Sequence, residues 1–144
     1  MIEQDTVKLL RECDASVKMG VDSIEDVMGF VHSEELKRYL NECKEQHQRL
    51  GDEIHGALNR FQDEGKEPNP VAKGMSWLKT NVKLSIDGSD ETVADLITDG
   101  CNMGVKSLNK YLNEYEAADE SAKEITKKLI RMEEELAKEI RKYL

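Results

Sequence analysis

The sequence predicts an all-α protein folded as one long four-helix bundle, and three observations predict it. Every long segment carries apolar residues at alternating three- and four-residue spacing, the period of a helix that buries one stripe. The 144 residues are 35% charged and only 38% hydrophobic, a balance that suits wet helical faces around a narrow core. Breaks between the stripes coincide with helix-capping residues. A chain of this length fits a single domain over residues 1–144.

The first helix is expected over about 5–31, with Leu10, Cys13, Val17, Gly20 or Val21, Ile24, Val27 and Val31 along its seam. Ser33 reads as an N-cap, followed by Glu34 and Glu35 where acids favour the helix dipole. The second helix, 33–63, has Leu36, Leu40, Cys43, His47, Leu50, Ile54, Leu58 and Phe61 on its seam. The short link makes these two antiparallel neighbours, with Val17 expected beside His47 and Gly20 or Val21 beside Cys43.

Gly65 to Pro70 is a break, and Asn69-Pro70 reads as N-cap and first turn of a shorter helix over 70–86. Ser89 caps a third long helix, 90–116, whose seam includes Val93, Gly100, Met103 or Gly104, Leu108 and Tyr111. Ser121 to Glu124 matches a capping box and opens a fourth, 121–143, with Ile125, Leu129, Met132, Leu136 and Ile140 inward. A short crossover helix between the second and third long helices, in place of a tight turn, is the ferritin-like connection.

A net charge of −9, with Lys and Arg scattered among acids, disfavours nucleic acid and anionic membrane as partners. The polar, acidic start and the lack of any long apolar run point to a cytoplasmic protein. Three cysteines without paired spacing suit a reducing compartment. Cys13 and Cys43 are offset by roughly 13 Å along the hairpin, too far for a disulfide. Both read as small buried hydrophobes, and Cys101, beside its seam, as the more reactive thiol.

A di-metal bundle needs Glu-x-x-His from two helices and a Glu from each of the others. No Glu-x-x-His occurs, and His32, His47 and His55 are the only histidines. Asp52-x-x-His55 is the nearest relative of that motif. His47 falls on a seam, where a hydrogen-bonded core histidine is the plainer reading. With Cys43 one turn away it could supply half of a zinc site. A degenerate iron or zinc site would draw on His47, Asp52, His55 and Glu133. Gly20, Gly51, Gly100 and Gly104 each cost about 1 kcal/mol relative to Ala and imply close packing.

The chain resembles a family of small bacterial four-helix bundles described only as a ferritin-like domain of unknown function. The likeness rests on Asp5-Thr6-Val7-Lys8-Leu9-Leu10, on Gly20, on Gly74-Met75-Ser76-Trp77-Leu78-Lys79, and on Asp99-Gly100 followed by Gly104. It implies a ferritin-like bundle, self-associating, with no established activity. No metal ligands carry over, because the Glu-x-x-His pairs are missing. The expectation is a non-catalytic binding or stress-related protein without a cofactor. The alternatives are a metal-binding bundle or oxidoreductase with a degenerate metal site, or a homodimer that pairs through a helical stripe including Tyr111, Tyr115 or Tyr143.

Overall fold

The computed structural model describes residues 2–66 and 88–144. Four helices appear there: α1 (Ile2–Met28), α2 (Glu34–Asn59), α3 (Asp90–Glu114) and α4 (Glu120–Glu139), the last running into a 3₁₀ turn at Ile140–Tyr143. The described residues contain no strand. The expected crossover helix over 70–86 lies outside them.

Two caps are as the sequence predicts. The Ser33 hydroxyl accepts from Leu36 N–H and the Ser89 hydroxyl from Thr92 N–H. The third differs, because Asp119 rather than Ser121 caps α4, its carboxylate accepting from Ala122 N–H at 2.8 Å. A carboxylate is the stronger acceptor at a positive helix end. Asp119 is also fixed from behind, its N–H donating to Thr6 Oγ1 at 2.8 Å.

Those contacts set the helix directions. Thr6 near the start of α1 meets Asp119 at the start of α4, so the two run parallel. The Asp90 carboxylate at the start of α3 accepts from the N–H groups of His32 and Ser33, in the α1–α2 link. The order is therefore up, down, down, up. No helix among the described residues is long and apolar enough to cross a membrane.

The hairpin register is one turn away from expectation. Gly20, not Val17, lies against His47, and Val17 packs on Gly51. α1 stops at Met28, and residues 29–33 climb past its end before α2 begins. From Met28 down to Gly20 is 8 residues and from Glu34 down to His47 is 13, so α2 starts about 7 Å higher.

The core divides in two. One apolar cluster is built around Leu10, Val17, Leu50, Leu108 and Ile130. The other is built around Ile24, Cys43, Cys101, Leu136 and Ile140. On every helix a single position falls between them: Gly20, His47, Gly104 and Glu133. Tyr111 and Tyr115 stack at 6.2 Å and lean on the first cluster, and Tyr143 leans on the second, so all three are partly buried.

Candidate functional site

The layer between the clusters is made by all four helices. α2 and α4 send in ionisable side chains, and α1 and α3 present glycines. His47 is 1% exposed and Glu133 9%. A Cβ on Gly20 would stand 2.9 Å from His47 Cδ2, so only glycine leaves space for the ring. A Cβ on Gly104 would lie 3.7 Å from Glu133 Oε2.

Both ring nitrogens of His47 are engaged. Nδ1 lies 2.7 Å from the Cys43 carbonyl oxygen. A carbonyl only accepts, so Nδ1 carries a proton. Nε2 lies 2.6 Å from Glu133 Oε1. One further proton bridges those two atoms, carried by the His47 ring and donated to the carboxylate. The pair is neutral as a unit, which is what allows it inside a core.

Burial pushes the His47 imidazole down, but the hydrogen bond to Glu133, that carboxylate's charge and the Cys43 carbonyl together raise it above its ordinary value. The Cys101 thiol also bonds to Glu133, and burial and that carboxylate push it well above the usual thiol range. Burial raises Cys43 to about 11, against a lowering bond from the Tyr39 hydroxyl. Cys13 is raised to about 12, chiefly by burial, and lies 3.2 Å from Thr126 Oγ1.

All three cysteines are free and buried. The expectation that Cys101 is the reactive thiol is therefore corrected. It is only 3% exposed, turned into the cluster around Ile24 and Leu136, and held as a thiol.

The four candidates from sequence separate into different places. His47 and Glu133 meet. His55 lies elsewhere, half exposed, with Nε2 2.7 Å from Asp14 Oδ1. Asp52 is exposed on the outer face of α2. Among the described residues no group of three His, Cys, Asp or Glu side chains is placed to hold a metal ion.

Asp14 is the residue that sequence reading missed. It is 1% exposed. Its carboxylate takes His55, the Lys18 ammonium at 2.9 Å and the Lys66 N–H at 2.8 Å. Gly65, at φ 94, turns the chain so that Lys66 N–H points at Asp14. The signal was available, since Leu10, Asp14 and Val17 also follow seam spacing. Glu133 was visible in the same way, at four and three residues from Leu129 and Leu136.

No family model matches the chain, and no curated protein or solved structure matches it either.

Proposed function

We propose that the chain is a non-catalytic, ferritin-like four-helix bundle that acts as a binding or stress-related protein. One observation carries the reading. At mid-height, where a metal-dependent bundle gathers carboxylates and histidines, two helices bring glycine and the other two bring a histidine and a glutamate that satisfy each other. The nearby thiols are buried and held protonated, so they are poor nucleophiles. The up-down-down-up order agrees with the ferritin-like part of the reading.

The function then rests on the helical faces, with the polar layer holding register between them. A metal-binding bundle, for iron or zinc, is the second reading. It is favoured by the direct approach of His47 to Glu133, since a metal displacing the shared proton would find two donors at once.

Metal content of protein purified without chelator decides between them. The proposed reading expects metal far below one per chain, and addition of zinc or iron(II) leaving the His47 ring resonances unmoved. Stoichiometric metal together with a shift of those resonances overturns it.

A further inference from the structure

A cleft of about 300 Å³ opens between α2 and α4, on the outer side of the His47–Glu133 layer. Its floor is Cys43, Met132 and Tyr39. The thiol and the tyrosine hydroxyl hydrogen-bond to each other, so they present little free polarity to a ligand. The rim is different. Lys128 and Arg131 line it, and so do Glu135 and the neutral amide of Gln46.

These charges have a fixed order along α4. Arg131 and Glu135 are four residues apart, about 6 Å of helix rise, and Lys128 and Glu135 are seven apart, about 10 Å. Opposite charges at i and i+4 commonly pair, though less well with the cation first. Here Arg131 and Glu135 form no ion pair with each other or with any other described residue. Among the described residues Lys128 reaches only Glu53, at 3.7 Å, with both side chains half exposed.

The cleft thus carries, four residues apart along α4, a cation and an anion that have no ion-pair partner among the described residues. Its volume is at the small end of ligand pockets. From this charge order we infer that the α2–α4 cleft binds a small linear zwitterion, an ω-amino carboxylate with an apolar middle of a few carbons. The carboxylate lies against Arg131 and Lys128, the methylenes over Cys43 and Met132, and the ammonium beside Glu135.

The inference rests on reading the chain as a binding module. Its test is an amide-NMR titration of the full chain with 6-aminohexanoate, with hexanoate and hexylamine as single-charge controls. Saturable shifts are expected at residues 39–46 and 128–135, with a Kd on the order of 1–10 mM. Each control should bind about 2–5-fold more weakly, the size of one exposed charge pair. Arg131→Gln should weaken 6-aminohexanoate toward the hexylamine level, with Lys128 retaining part of the carboxylate's attraction, and Glu135→Gln should bring it to the hexanoate level. Both side chains are exposed, so neither substitution threatens folding. Absence of saturation, equal binding of the three probes, or indifference to both variants overturns the cleft. That result leaves the binding-module reading to stand or fall on metal content.

Discussion

Gly20→Ala should destabilise the protein, although the same change at Gly56 or Gly100 should stabilise it. Replacing glycine by alanine inside a helix gains about 1 kcal/mol from backbone entropy. At Gly20 the new methyl would sit 2.9 Å from His47 Cδ2 and 3.1 Å from Nε2. The ring cannot swing aside freely, because Nδ1 is held to the Cys43 carbonyl and Nε2 to Glu133. Overpacking of a fixed group costs about 1–3 kcal/mol. Subtracting the helix gain leaves a net loss of roughly 0–2 kcal/mol. Gly56 and Gly100 have no described residue within 4 Å of the corresponding position, so alanine there should stabilise by about 0.5–1 kcal/mol. Urea unfolding followed by circular dichroism measures all three. The sign at Gly20 should reverse in a His47→Ala/Glu133→Leu background, where the ring is gone and no charge is stranded. If Gly20→Ala stabilises the natural chain as much as Gly56→Ala does, the glycine is not making room for His47 and the account of the layer fails.

Four further outcomes are expected. Glu133→Ala should cost about 3–5 kcal/mol, because it strands a buried histidine, whereas His47→Leu/Glu133→Met should cost less than that single change; the reverse order in urea melts would contradict a mutually satisfied pair. The His47 imidazole is raised in the fold, so its contribution is complete below the ordinary 6.5 and is lost as pH rises through the folded value. Stability should therefore fall above neutrality by at most about 1.4 kcal/mol per pH unit, and a slope unchanged in Glu133→Gln would assign it to other groups. Asp14→Ala should cost about 2–4 kcal/mol and expose the α2 C-terminus to proteolysis near Lys66, since three donors lose their acceptor; an unchanged cleavage pattern would show that Asp14 does not hold that segment. With a thiol-reactive dye, Cys13, Cys43 and Cys101 should react slowly in the native protein and all three rapidly in denaturant, and a fast native phase at Cys101 would contradict its placement.

The helical layout was legible because seam spacing and caps act locally. Ser33 and Ser89 cap where the stripes begin, and His47 stood out as polar on an apolar seam. Partnerships between helices were less accessible. Helix-to-helix height depends on how residues 29–33 climb, which no periodicity encodes, so Gly20 was placed one turn away from His47. Glu133 competed with Met132 for one inward position, and apolarity favoured the methionine. The structure gives the carboxylate that place because His47 waits opposite. Asp14 was passed over for the opposite reason, since a carboxylate among seam residues makes sense only once His55, Lys18 and the turn at Gly65 are seen to converge on it.

The division of the core has a consequence for how the sequence can change. Substitutions in the half around Leu10 and Leu108 do not touch those in the half around Ile24 and Ile97, and separated sites combine additively within a few tenths of a kcal/mol. Each half can exchange its side chains without renegotiating the other. Gly20, His47 and Glu133 have no such freedom, because each constrains another across the bundle. Sequence drift should therefore run in two independent streams, one on either side of three positions that move together or not at all.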